Sequence, residues 1–236
     1  MHLSANLGTT PQPPGHPYVM SIAKYVTIFI LILLAAAFGY GLKGYVDAIS
    51  DAENLRSRAD DLMAKGRSGM GLGERHLKIL LAVEDPAFFD HSGVDFSSPG
   101  AGLTTITQSV SKRLAFEQFQ PGLGKIKQTG YAIGLEQRLS KEQILALWLD
   151  SVEMGNGPGG WMRGFHAASF KIYGRDPSQL QMSEFIRLTA VLIAPASFNL
   201  TGQDQKLDER TRRIQRLVVG DCTVAGFRDV WLEGCS

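Results

Sequence analysis

Between residues 83 and 96 the chain reads VEDPAFFDHSGVDF, which sets Glu84 beside Asp85, adds His91 and Asp95, and surrounds them with Phe88, Phe89 and Phe96. A carboxylate among aromatic side chains loses the hydration that stabilises its charge. Its proton affinity then rises toward neutrality, where general acid or base chemistry operates. The same residues in a solvated polar loop would do no chemistry, so the reading depends on the elements that position them.

Those elements read as helices. HLKILLAV places Leu77, Leu80 and Leu81, with Glu84, on one side of a helix. TTITQSVSKRLAF aligns Ile106, Val110 and Leu114 and leaves Lys112 and Arg113 toward another face. Ser140 followed by Gln143 is a capping-box pattern, ahead of a buried stripe of Ile144, Trp148 and Val152. SEFIRLTAVLIAPASF predicts an apolar helix stopped at Pro195. The glycines of EMGNGPGGWMRG predict the longest irregular loop, and no run of alternating strands is expected after His76.

Composition bounds the rest. The 236 residues carry 24 basic and 23 acidic side chains, a net charge of +1, so no global field points to nucleic acid. Residues 18–42, YVMSIAKYVTIFILILLAAAFGYGL, hold a single formal charge, Lys24, in a run long enough to span a bilayer, and their apolar residues favour insertion by about 3–7 kcal/mol. A retained anchor is expected over a cleaved signal, because no Lys or Arg precedes Lys24 and the run is long. Lys24 and Lys43 flank it on either side and leave the orientation open. Domain boundaries follow: a flexible tail at 1–17, the anchor at 18–42, a juxtamembrane helix and linker at 43–75, a helical domain at 76–200 and a C-terminal extension at 201–236. In that extension DERTRRIQRLVV predicts an amphipathic helix with Ile214, Leu217 and Val218 inward and its arginines solvated. Cys222 and Cys235 fit one small disulfide loop or two free thiols equally.

The opening segment resembles the first signature of the peptidoglycan glycosyltransferases, glycosyltransferase family 51, whose pattern E-D-x-x-F-x-x-H-x-G-x-D is met by Glu84, Asp85, Phe88, His91, Gly93 and Asp95. Further segments follow in the family's order. GLTTITQSVSKR resembles G-G-S-T-I-T-Q-Q-L-x-K-N, KIKQTGYAIGLEQRLSKEQILALWLDSVEMG resembles the third and fourth signatures, and RGFHAASFKIYGR the fifth. The resemblance covers roughly residues 76–200 and implies a mainly α, lysozyme-like domain behind a single transmembrane helix. It implies polymerisation of lipid II into β-1,4 glycan strands, with Glu84 as general base and undecaprenyl pyrophosphate leaving as the anomeric carbon inverts. Thr104, Thr105, Lys112 and Lys125 would bind substrate, and Asp85, Phe88, His91, Asp95, Gln108, Gln128 and Arg163 would support the site. The implied partners are lipid II, the growing glycan, membrane lipid and other cell-wall synthesis proteins, with no nucleic acid. No cofactor and no protein-held metal is expected, although Mg or Mn could accompany the pyrophosphate. The implied location is the bacterial cytoplasmic membrane, N-terminus inside and catalytic domain outside.

The sequence also departs from the family. The third signature, R-K-x-x-E, reads Gly124, Lys125 and Gln128 here, so one cation and one acid are missing. Ser109 replaces the second glutamine of the second signature, Leu103 replaces a glycine, and the segment from Asp95 to Gly102 is short. A catalytically weak member acting as a cell-wall adaptor is the alternative these changes favour, and a glycan-cleaving, lysozyme-like enzyme is a third. SVSK at Ser109 to Lys112 matches S-x-x-K but lacks a K-T-G partner, and a monofunctional enzyme is expected.

Overall fold

The computed structural model describes residues 17–100, 102 and 104–236; the tail read at residues 1–17, apart from Pro17, and Leu103 lie outside the described residues. The chain divides into a unit ending at Phe38 and a second unit, Gly39–Ser236. Helix α1, Pro17–Ala64, runs through both. In the first unit its Ile, Leu and Phe side chains from Ile22 to Leu34 are exposed, and the helix is long and apolar enough to cross a membrane.

Within the second unit α1 changes character. Ala48, Ala52, Leu55, Ala59 and Leu62 recur at alternating steps of four and three, forming one buried stripe between polar faces. Small residues let α4, Leu123–Arg138, approach closely: a Cβ added at Gly134 would sit 2.7 Å from the Cβ of Ala48. Tyr131 of α4 donates to Asp51 at 2.7 Å across the same contact.

The core is built around α5, Lys141–Ser151. Ile144, Leu145, Ala146, Leu147, Trp148 and Leu149 are all buried, so this helix is apolar all round and enclosed by its neighbours. Truncating Leu145 to alanine there would cost about 2–5 kcal/mol through lost burial and a residual cavity. Ser140 and Gln143 form the expected capping box at its start. Against α5 pack α3, Ile106–Leu114, α4 and α6, Phe165–Tyr173, while α2, Glu74–Glu84, packs on α7, Met182–Ala190. The last of these ends before Pro195 is reached and runs on as a single 3-10 turn, Val191–Ile193.

One expectation is overturned. The glycine-rich stretch read as an irregular loop forms an antiparallel hairpin, β1, Glu153–Gly157, with β2, Gly160–Arg163. Gly157 pairs with Gly160, so Pro158 and Gly159 occupy the turn. Proline at the first turn position and glycine with φ 85° at the second suit a type II turn, which few other residue pairs could form.

The C-terminal extension folds onto the domain as α8, Gln205–Val219, capped by Asp204, which accepts from the amides of Lys206 and Leu207. A loop then closes through a disulfide between Cys222 and Cys235. Asp229 gathers this loop by accepting from the amides of Ala225, Glu233 and Gly234. The loop in turn accepts the amides of Gly100 and Gly102 on the carbonyls of Gly226 and Phe227. Replacing both cysteines by serine is expected to lower the thermal midpoint by about 6–12 °C, because a cross-link over a loop of this size restricts the unfolded chain by roughly 3 kcal/mol. Thermal unfolding of both forms checks this, and an unchanged midpoint would show that Asp229 alone holds the loop.

Candidate active site

The site begins at the C-terminal end of α2. Glu84 is its last residue, and Asp85 leaves the helix with φ −164° and ψ 80°. That turn splits the two carboxylates. Asp85 is fully buried and accepts hydrogen bonds from the backbone amide of Ile106 at 2.8 Å and from His91 Nε2 at 3.0 Å. Because His91 Nδ1 accepts from the amide of Gly93 at 3.1 Å, the network assigns the ring proton to Nε2. Asp85 thereby ties the first signature to the N-terminus of α3, and His91 serves to hold it.

Other supporting residues are equally occupied. Phe88 is buried beneath the Lys141 ammonium, 4.7 Å from its ring centroid, and Lys141 also donates to the His91 carbonyl at 2.6 Å. Burial acts to raise the Asp95 pKa, but hydrogen bonds from Ser98 and Ser97 outweigh it and bring the value to about 2. Thr105 caps α3: its hydroxyl accepts from the Gln108 amide at 3.0 Å and donates to the Gly93 carbonyl at 2.8 Å, so both of its polar capacities are used internally. Gln108 completes that capping box and donates to Thr129.

Glu84, by contrast, makes no side-chain hydrogen bond among the described residues. It sits where two cavities meet, one of about 760 Å³ and one of about 500 Å³. The residue is half-buried by exposed surface, yet protein surrounds its carboxyl closely. Burial raises its pKa to about 7, with the Asp85 charge adding to the rise and the Arg210 and Arg113 guanidinium groups opposing it.

The smaller cavity collects most of the residues read as substrate-binding. Thr104, Thr105, Lys112 and Lys125 all line it, and Lys125 Nζ donates to Thr104 Oγ1 at 3.0 Å. Lys112 stands 5.1 Å from the Phe119 ring centroid and reaches both cavities. Burial, followed by the charge of Lys112, lowers the Lys125 pKa. Gln128 lines the same cavity, fully buried, with its amide nitrogen on the Gln108 carbonyl at 2.5 Å and its Oε1 unpartnered. Arg163 lies apart, on the wall of the larger cavity at the end of β2, paired with Glu153 at 2.9 Å.

The arginines of α8 were expected in solvent, and one of them is not. Arg210 is 3% exposed, lines the smaller cavity, and its Nε and Nη1 have no hydrogen-bond partner. Burial lowers its pKa to about 10, against the attraction of Glu84, so the guanidinium stays charged at neutral pH. The sequence signal was faint: Leu207, Arg210 and Ile214 share one helical stripe, and an arginine inside an apolar stripe is where a buried charge would be sought. Val230 of the disulfide-closed loop also reaches this cavity.

The fold is mainly helical and lysozyme-like in class, with one unpartnered glutamate between two cation-lined cavities. A transglycosylase family model matches residues 70–219, and the chain belongs to that family. It is 34% identical over 149 residues to a biosynthetic peptidoglycan transglycosylase of Marinomonas sp. (strain MWYL1), an alignment covering 58% of this chain and 64% of that protein. It is 28% identical over 234 residues to penicillin-binding protein 1A of Escherichia coli (strain K12), covering 84% of this chain and 27% of that one. With penicillin-binding protein 1F of Bacillus subtilis (strain 168) it shares 30% identity over 143 residues, covering 55% and 20%. The chain therefore spans less than two thirds of the length of these relatives.

Proposed function

We propose that this chain is a membrane-anchored peptidoglycan glycosyltransferase that polymerises lipid II into β-1,4 glycan strands. The observation that carries the proposal is Glu84: an unpartnered carboxylate, with pKa about 7, placed where both cavities can reach it. In the proposed step the 4-hydroxyl oxygen of the acceptor attacks the anomeric carbon of the donor and its proton passes to the Glu84 carboxylate. The bond from the anomeric carbon to pyrophosphate breaks, its electron pair leaves with the pyrophosphate oxygen, and the centre inverts. The smaller cavity takes the donor, since Lys112, Lys125, Thr104 and Arg210 converge there and a departing pyrophosphate gathers negative charge. In this reading a Mg or Mn ion could accompany the pyrophosphate.

The proposed orientation puts the N-terminus inside and the domain outside. The disulfide supports it, since such bonds persist in oxidising compartments. The buried, uncharged Gln128 is what favours an adaptor instead, because it offers no second acid to the site. Incubating the full-length protein with labelled lipid II and, separately, with finished peptidoglycan decides among the readings. Lipid-linked chains that a muramidase digests are the expected result. Soluble fragments from finished peptidoglycan would instead mark a cleaving enzyme, and lipid II bound without chain growth an adaptor.

A further inference from the structure

The third signature has lost a cation at Gly124, and the structure shows where its space went. A Cβ added there would lie 3.3 Å from the Phe119 ring and 3.8 Å from Phe116, and these rings meet edge to face at 5.2 Å. The aromatic pair fills the side of α4 from which a long basic side chain would extend.

A cation has been gained on the neighbouring helix. Position 113, asparagine in the second signature, is arginine here. Arg113 Nη1 donates to the carbonyl oxygen of Ser109 and, at 3.0 Å, to its Oγ. Ser109 is itself a departure from the signature's glutamine, and its Oγ also accepts from Trp148 Nε1 at 3.1 Å. The two departures form one unit, in which a short hydroxyl between indole and guanidinium sets the direction of Arg113.

Charge balance shows what that direction serves. The larger cavity is lined by four cations, Arg58, Lys112, Arg113 and Arg163, and by four carboxylates, Glu84, Glu117, Asp150 and Glu153. Arg58 is neutralised by Asp150 at 2.6 Å and Arg163 by Glu153 at 2.9 Å. Lys112 is shared with the smaller cavity. Arg113 makes no ion pair among the described residues, and its hydrogen bonds go only to neutral oxygens. The charges of Glu153 and Glu84 act on this half-buried guanidinium from a distance, but neither carboxylate bonds it, and its fork of N–H donors can grip a phosphate with two bonds at once. Nη1 is engaged with Ser109, which leaves Nε and Nη2.

We infer that Arg113, held by Ser109, binds the pyrophosphate of the acceptor molecule in the larger cavity, so that positive charge absent at position 124 is supplied at a different wall of the site. The inference rests on the proposed polymerase reading and extends it. The cation has moved from α4, whose Lys125 and Gln128 line the smaller cavity, to the wall of the larger one.

The test is calorimetric binding of inorganic pyrophosphate to the full-length protein in detergent, in a Lys125→Ala background that weakens the smaller cavity. Arg113→Gln is expected to weaken binding at least about tenfold, and Arg113→Lys, which keeps the charge but not the fork, to bind with an affinity between those of Arg113→Gln and the parent. Binding by Arg113→Gln as tight as by the parent overturns the inference. So does an equal loss in both variants, which would assign Arg113 to packing alone, and so does a parent that binds no pyrophosphate. Because binding needs no turnover, failure of the wild type to polymerise lipid II in a parallel assay counts against the proposed function alone.

Discussion

Glu84→Gln is expected to slow lipid II polymerisation by about 10²–10⁴-fold, the usual worth of a positioned general base, or about 3–5 kcal/mol of barrier. Glutamine keeps the size and polarity of the side chain but cannot take the hydroxyl proton, so lipid II binding should survive. The wild-type rate should also fall on the acid side, with an apparent pKa near 7, because the base must be ionised to act. The stability consequence has the opposite sign. A carboxyl group whose folded pKa exceeds its unfolded value of 4.5 holds its proton more tightly in the folded chain, so its contribution is fully present below about pH 4.5 and lost as pH rises through 7. The site thus gives up stability to keep an ionised Glu84 at neutral pH. Rates and thermal midpoints measured from pH 5 to 9 read both effects, and an acid limb near the ordinary glutamate range would remove the argument that burial prepares this group.

Arg210→Met is expected to produce the second large effect, a loss of about 10²–10³-fold, comparable to removing one fixed donor from a developing anion. Two consequences separate this role from simple packing. The guanidinium opposes the rise of the Glu84 pKa, so its removal should move the acid limb of the pH profile upward. Arg210→Lys, which retains a charge in the same cavity, should recover part of the rate and return the limb toward its original position. Loss of rate with an unmoved limb, equal in the methionine and lysine variants, would assign Arg210 to packing beneath α8.

The parts of this site legible in the sequence are those whose interactions are local. Glu84, Asp85 and His91 lie within one turn and its continuation, and the caps at Thr105 and Ser140 are written three residues ahead of their glutamine partners. Residue types at short spacing imply those contacts directly. The hairpin at Glu153–Arg163 was not legible because its glycines carry no alternating side-chain pattern, and the Pro158–Gly159 turn was the one positive sign of it. Arg210 was hidden for a different reason. One arginine among the four of RTRRIQR, residues 210–216, is read by frequency as solvated, and Glu84, whose charge acts on it across the cavity, is far away in the chain. Likewise, Gly124 and Arg113 read as separate departures until the Phe116 and Phe119 rings and the Ser109 hydroxyl show how one space was closed and another charge was positioned.

The most direct test of the central claim is chain growth from labelled lipid II by the full-length protein in detergent at neutral pH, with wild type and Glu84→Gln side by side. The account predicts a glycan ladder from the wild type and none from the variant. No ladder from the wild type while lipid II remains bound, or an undiminished ladder from Glu84→Gln, would contradict it.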